Sequence, residues 1–78
     1  MKARVVVTLK NGVLDPQGNA IEGALDALSF QGVKSVRQGK VFDVELDTDD
    51  ADEARKTLTA ICEKLLANTV IEDFEINL

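Results

Sequence analysis

The sequence predicts an α+β fold with the ferredoxin-like-related order βαββαβ, in which an antiparallel sheet carries two helices on one face. Three observations predict it. Apolar residues alternate over residues 2–10 and 70–78, apolar stripes with helical spacing occupy 16–31 and 50–67, and the segment 33–47 is β in character. Right-handed crossovers between the strands place both helices on the same face of the sheet.

The first strand and the first helix have the clearest signals. Alternation over residues 2–10 predicts a half-buried strand whose inner face is Ala3, Val5, Val7 and Leu9. Asp15 is a preferred N-cap residue, and Pro16 suits the first helical position because that amide has no partner within the helix. The buried stripe of this helix is Ile21, Ala24, Leu25 and Leu28, and Gly32 suits its C-terminal cap region.

The second half of the chain leaves one choice open. Gln38-Gly39 can close a tight hairpin between two strands, which we favour, or Gly39 can mark a bulge in one long bent strand, which gives βαβαβ. Acidic residues precede the second helix, and Asn68 is a natural left-handed residue at its end. The apolar stripe of this helix is Ala54, Leu58, Ile61, Cys62 and Leu65.

The distribution of charge agrees with a central position for the first strand. In the ferredoxin-like order this strand lies between the third and the last strands, so Lys2 and Arg4 have acidic neighbours on both sides. Those neighbours are Asp43 and Glu45 on one side, and Asp73 and Glu75 on the other. Opposite charges on adjacent strands stabilise a sheet by about 0.2–1 kcal/mol each.

The size of the chain favours self-association. Its 78 residues, 45% of them hydrophobic, are expected to form one domain over residues 1–78, near the lower limit for a self-sufficient core. A single cysteine, Cys62, forms no intrachain disulfide, and without histidine it builds no zinc site. Val6, Val41 and Ile71 point away from the helices, one from each of three strands, and are our candidates for a self-association surface.

Composition excludes several classes of function. A net charge of −5 argues against nucleic acid and anionic membrane surfaces as partners, and 4% aromatic residues are too few for base stacking. No apolar run is long enough to span a membrane, and a cytoplasmic setting fits best. The absence of histidine removes the commonest general base. We therefore expect no catalytic residue, metal or cofactor site in this chain, which would support catalysis only by helping another protein.

The stretch GVLDPQG, residues 12–18, joins the first strand to the first helix and has two interpretations. Lys10, the glycines and the free amides of the helix could hold an anion. The favoured alternative is helix capping by Asp15 together with close docking against a partner, since Asp15 already supplies negative charge where an anion would lie. The basic cluster of Lys34, Arg37 and Lys40 is either a contact for an acidic partner or a solvated tip.

Three stretches resemble a known family. LKNGVLDPQGNAI, VRQGK and CEKLLANTVIEDFEI are similar to the small subunit of phosphoribosylformylglycinamidine (FGAM) synthase, the PurS family, and the resemblance spans essentially the whole chain. It implies a non-catalytic subunit of purine biosynthesis that dimerises and bridges a glutaminase subunit and a large synthetase subunit. The complex is expected to use ATP with magnesium and glutamine, and the small subunit to support assembly and ammonia transfer.

The partner surfaces that we expect lie on two segments. The first comprises Lys10, Gly12, Leu14, Asp15, Pro16, Gln17 and Gly18, where the glycines would let the corner approach another backbone, that of the synthetase. The second comprises Arg37, Gly39 and Lys40. Two rival functions remain: an ACT-like regulatory domain that binds a small molecule at a dimer seam, and a dimerisation module with unrelated partners.

Overall fold

The computed structural model describes all 78 residues and has the order βαβαβ. Its elements are β1 (Lys2–Leu9), α1 (Pro16–Ala27), β2 (Gly39–Glu45), α2 (Ala51–Ile61) and β3 (Glu72–Asn77), with a π-helical turn (Cys62–Leu66) that extends α2. The predicted α+β class and antiparallel sheet are confirmed. None of the helices has the length and apolarity that a membrane crossing requires.

The sheet has the order β2-β1-β3, and β1 is antiparallel to both neighbours, as expected for a central first strand. Alternation sends Val5 and Val7 to the inner face, where both are completely buried. Leu58 of α2 and Cys62 of the π-helical turn cover them and are also completely buried. These four side chains form the centre of a small core, which holds β1 and α2 together.

The hairpin predicted at Gln38-Gly39 is absent, so the favoured four-stranded order is wrong and βαβαβ is observed. Residues 33–38 belong to no helix or strand and pair with no strand. In a strand, the backbone amides of this segment would donate to the carbonyl oxygens of a neighbouring strand. Here two of them donate to side chains at the start of α1 and within it. The amide of Val36 donates to Glu22 at 2.9 Å and that of Gln38 to Asp15 at 2.7 Å.

Helix α1 ends at Ala27, four residues before the predicted end. Ser29 adopts a left-handed conformation (φ 65°), and the amide of Phe30 donates to the carbonyl of Leu25 at 3.0 Å. The amide of Ser29 donates to Asp26, also at 3.0 Å, which completes a Schellman cap. The residue that ends the helix is therefore a serine, and Gly32 (φ 87°) serves the turn that follows.

Helix α1 does not pack on the sheet, so only one of the two helices lies where the fold class would place both. Residues 16–36, here called the arm, leave the sheet as a helix and return as a segment without regular secondary structure, which brings Val36 back to Gly18 and Glu22. The molecule is consequently elongated, 48 × 24 × 15 Å, with a radius of gyration of 15.9 Å. A compact chain of this length would have a radius of about 11.5 Å.

Helix α2 begins as predicted and ends differently. Asp50 caps it by accepting from the amides of Asp52 and Glu53, while Ala54 and Leu58 face the core. The π-helical turn that follows holds more residues than an α-helical turn. The residues after it therefore face a different direction from the one that regular α-helical spacing predicts. Leu65, predicted to be buried, is 79% exposed, and Leu66 is half-buried in its place.

The loop after α2 also corrects a prediction. Asn68 does not take a left-handed conformation, since Ser29 is the only residue other than glycine with a positive φ. Its side chain instead accepts from the amide of Val70 at 3.1 Å, and its carbonyl accepts from Ile71 and Glu72. Asn68 therefore organises the entry to β3 through an Asx turn.

The predicted charge pairs form on one side of β1 only. Arg4 bonds Asp43 at 2.9 Å and Lys2 lies 3.6 Å from Glu45. The β3 register places Asn77 opposite Arg4, and Asp73 bonds Lys10 at 2.9 Å. The acids of β3 lie too far along the strand to meet Lys2 and Arg4.

Candidate functional site

Asp15 is the organising residue of the corner between β1 and α1. It is 5% exposed, and its Oδ1 accepts from the amide of Gly18 at 2.9 Å, which confirms the predicted N-cap. Its Oδ2 accepts from the amide of Gln38 at 2.7 Å. The amides of Gln38 and Gly18 hold the pKa of Asp15 below its usual value. Both carboxylate oxygens are thus occupied, and the carboxylate fills the place where an anion at the helix N-terminus would bind.

Arg37 closes the same corner from the other side. Its guanidinium donates to the carbonyl oxygens of Val13 at 3.1 Å, Lys10 at 3.2 Å and Leu9 at 3.4 Å. The planar fork suits several acceptors at once. Arg37, a predicted partner contact, is therefore engaged by its own chain and holds the turn after β1 to the base of the arm.

The glycines of this region have three different roles. Gly12 has φ 85° and open space around it, so the turn conformation requires it. Gly18 is buried, and the carbonyl oxygen of Val36 occupies the place where a β-carbon would lie. A β-carbon on Gly39 would come 2.6 Å from the carbonyl oxygen of Val7. The close approach predicted for Gly18 is real, but the backbone it meets belongs to this chain.

Only part of the predicted corner surface faces outward. Gly12, Leu14, Pro16 and Gln17 are exposed, Leu14 at 69%. Lys10 is half-buried and bonds Asp73, while Asp15 and Gly18 are buried. The exposed group of four, here called the outer corner, is what the region can present to another protein.

A cleft of about 420 Å³ lies beside the base of the arm, with Val7 and Leu9 among its apolar lining residues. Lys40 and Glu72 line it too and form an ion pair at 3.4 Å. The hydrogen bond from the amide of Asn68 lowers the pKa of Glu72, and the interaction with Lys40 lowers it to a smaller extent. Lys40, another predicted partner contact, is thus held within its own chain.

The three self-association candidates do not form one patch. Val6 and Val41 are direct cross-strand neighbours, and Val41 is 56% exposed. Ile71 lies beside Lys10, whose amide donates to its carbonyl at 2.8 Å. The ion pair of Lys10 with Asp73 separates Ile71 from the two valines.

Sequence reasoning missed the apolar surface of the arm. Ile21 is 40% exposed, Leu28 69%, Phe30 60% and Val33 52%. The helical stripe contains the first signal of this surface, because an amphipathic helix needs something to cover its apolar face. The stripe does not reveal that the helix's own sheet fails to cover it.

This geometry is suited to contact with other proteins. The polar groups of the corner are engaged with one another and fix the backbone, while the outer corner and the arm present apolar side chains to solvent. Fold and corner together define a small α+β association subunit. A family model described as "PurS: Phosphoribosylformylglycinamidine (FGAM) synthase" matches residues 2–78. The chain belongs to the PurS family and is a PurS subunit of FGAM synthase.

Relatives and solved structures agree with this assignment. The PurS subunit of Mycobacterium leprae is 52% identical over 75 residues, which cover 96% of this chain and 91% of that protein. The crystal structure of Methanocaldococcus jannaschii PurS superimposes with a TM-score of 0.88 at 41% identity, covering 97% of this chain and 92% of that one. A chain in the structure of PurLQS from Thermotoga maritima has a TM-score of 0.88 at 32% identity, covering 97% and 93%.

Proposed function

We propose that this chain is the non-catalytic small subunit of an FGAM synthase complex, bridging the glutaminase and the ATP-dependent synthetase subunits. The observation that supports this most directly is the likeness over 97% of the chain to a subunit solved as part of PurLQS. In this role the chain works in purine biosynthesis in the cytoplasm and pairs with a second copy of itself. ATP, magnesium and glutamine act in the other subunits.

The contribution of the chain is positional. Asp15 and Arg37 fix the backbone of the corner from two sides, so the outer corner is ordered before a partner binds. A preordered surface loses little conformational entropy on binding. Docked on the synthetase, it would hold two active sites in register, so that ammonia passes between them without equilibrating with water.

The ACT-like alternative is not favoured. The family match covers residues 2–78. At the corner, the amide of Gly18 in the first turn of α1 already donates to Asp15. Calorimetry of the isolated subunit with amino acids and nucleotides should show no appreciable binding. Appreciable binding would restore the regulatory interpretation.

Reconstitution tests the proposed function. Glutamine-dependent synthesis by the synthetase and glutaminase subunits should require this chain, whereas synthesis driven by high free ammonia should require it much less. Equal dependence in both assays, or none in either, contradicts the proposal.

A pair of variants then tests the outer corner. Leu14→Asp places a charge at its leucine, which is 69% exposed, and should weaken co-elution with the synthetase. Leu78→Asp is the matched control, because Leu78 is 44% exposed and lies past the opposite end of the sheet. If Leu14→Asp assembles as well as the control, the outer corner is not the docking surface.

A further inference from the structure

The π-helical turn and the loop that follows it expose three large apolar side chains. Leu65 is 79% exposed, Val70 is 81% exposed and Ile71 is 39% exposed. A single exposed apolar side chain is common on protein surfaces, whereas a group of them marks a site of association. These three residues, here called the loop ridge, have no part in the core.

The π-helical turn sets the direction of Leu65. In a regular α-helix, Leu65 would share the face of Leu58 and Cys62, which are completely buried. Here the amide of Ala67 donates to the carbonyl of Cys62 at 2.9 Å, and Leu66 packs against the core in place of Leu65. Turns of this kind are rare and are frequent at functional sites. The turn therefore directs one leucine inward and leaves the other on the surface.

The rest of the loop ridge is fixed by backbone hydrogen bonds. The side chain of Asn68 accepts from the amide of Val70 at 3.1 Å, and its carbonyl accepts from the amide of Ile71 at 3.0 Å. The carbonyl of Ile71 accepts from the amide of Lys10 at 2.8 Å. The ridge is thus ordered before any partner binds, which lowers the entropic cost of binding.

The loop ridge and the outer corner lie at the same end of the sheet. The last residue of β1, Leu9, pairs with the first residue of β3, Glu72. The bond from Lys10 to Ile71 then joins the turn that leads to Leu14 directly to the ridge. Leu14 and the loop ridge therefore belong to one apolar end of the molecule.

Charge separates this end from the opposite one. The net charge of −5 arises largely from segment 45–53, which has six acidic residues and no basic one and follows β2 at the other end. At the ridge end, Asp73 bonds Lys10 at 2.9 Å, and the exposed neighbours Glu63 and Lys64 have opposite signs. The centre of a protein interface is depleted in charge. The ridge end therefore suits an apolar, weakly charged protein surface.

We propose that the loop ridge and the outer corner form one docking surface, and that an apolar, weakly charged groove of the synthetase subunit covers it. This rests on the proposed function, which docks the outer corner on the synthetase, and adds Leu65 and Val70 to that contact. Continuity with the outer corner favours the synthetase over a second copy of this chain.

Charged substitutions test the ridge against a control. Leu65→Asp and Val70→Asp should each raise the Kd for the synthetase subunit by about 10-fold or more, because each removes an apolar side chain from the contact. Leu78→Asp, at the opposite end of the sheet, should leave this Kd nearly unchanged. The Tm of each isolated variant should stay close to that of the wild type, since Leu65 and Val70 are exposed. An unchanged Kd for both ridge variants overturns the proposal.

The same variants distinguish the other occupants. In sedimentation equilibrium, Leu65→Asp and Val70→Asp should have the mass of the wild type at every concentration. A lower mass would assign the ridge to self-association and overturns the proposal. Loss of binding to the isolated glutaminase subunit, with binding to the synthetase subunit retained, also overturns it.

Hydroxyl-radical labelling tests the ridge without a substitution. In the wild type bound to the synthetase subunit, Leu14, Leu65 and Val70 should all be labelled less than in the free chain. Leu78 should be labelled equally in both states. Protection of Leu14 without protection of Leu65 and Val70 overturns the shared surface.

The two proposals fail separately. A wild type that binds the synthetase subunit and supports glutamine-dependent synthesis, with ridge variants that bind equally well, refutes only the ridge. Ridge variants that lose binding, in a system whose synthesis never requires this chain, refute only the proposed function. A wild type that does not bind the synthetase subunit refutes both.

Discussion

The carbonyl oxygen of Val36 lies against the α-carbon of Gly18, in the space that a β-carbon would occupy. This contact joins the first turn of α1 to the segment that returns from the arm tip. The sequence suggested that Gly18 lets the backbone of another protein approach. Because Gly18 is buried against its own chain, substitution should disturb the fold itself.

Gly18→Ala should lower the stability of the isolated chain by about 1–3 kcal/mol, the usual effect of overpacking a close contact. The backbone carbonyl of Val36 cannot move aside as a flexible side-chain end can. For a domain of this size each kcal/mol lowers Tm by about 4–8 °C. Thermal unfolding followed by circular dichroism measures the change.

Gly23→Ala is the matched control for that substitution. Gly23 is exposed within the same helix, and a β-carbon there would meet nothing within 4 Å. Helix propensity should then raise stability by about 1 kcal/mol or less. Equal effects of the two substitutions would contradict the packing argument.

Asp15 should make stability depend on pH in one direction. Amides of Gln38 and Gly18 lower its pKa in the folded chain, so its contribution is complete above the unfolded pKa and is lost as pH falls through the folded value. Asp15→Asn keeps the shape of the side chain but replaces one acceptor oxygen with an NH2 group, which faces one of these backbone N–H donors. The Tm difference between wild type and Asp15→Asn should be largest at neutral pH and should narrow below about pH 3.9. A difference independent of pH would contradict this role.

Arg37 should control the local order of the turn after β1. Arg37→Lys keeps the charge and loses the fork that reaches the carbonyls of Leu9, Lys10 and Val13. Amide hydrogen exchange should accelerate in residues 10–14, while β1 stays protected. Lys34→Ala is the control, because Lys34 is exposed and makes none of these bonds. Unchanged exchange in Arg37→Lys would show that the turn holds without the fork.

Local patterns predicted the inner face of β1 and the start of α1, because those two features depend on residues close together in the sequence. The period of two at Ala3, Val5 and Val7 fixed the inner face of β1, and Asp15 before Pro16 marked the start of α1. The arm was not predictable in this way. Its stripe shows that an apolar face exists, and the surface that covers that face is a tertiary question.

The missing strand has a similar cause. The segment 33–38 looks like a strand in composition, but Glu22 and Asp15 take the amides of Val36 and Gln38. The bond between Val36 and Glu22 spans 14 positions of the sequence, and the bond between Gln38 and Asp15 spans 23. Hydrophobic periodicity describes closer neighbours, so it does not predict such bonds. The sequence also could not show that the backbone amide of Gln38 is the donor, since every residue except proline has a backbone amide donor.

The π-helical turn yields a final prediction, because it separates two leucines that the helical stripe treats alike. Leu58 is completely buried, whereas Leu65, two turns later, is 79% exposed. Leu58→Ala should therefore cost about 2–5 kcal/mol of stability, and Leu65→Ala should cost less than about 0.5 kcal/mol. Denaturant unfolding of the two variants decides the matter. Comparable losses at both positions would mean that the α-helix continues regularly and that Leu65 faces the core.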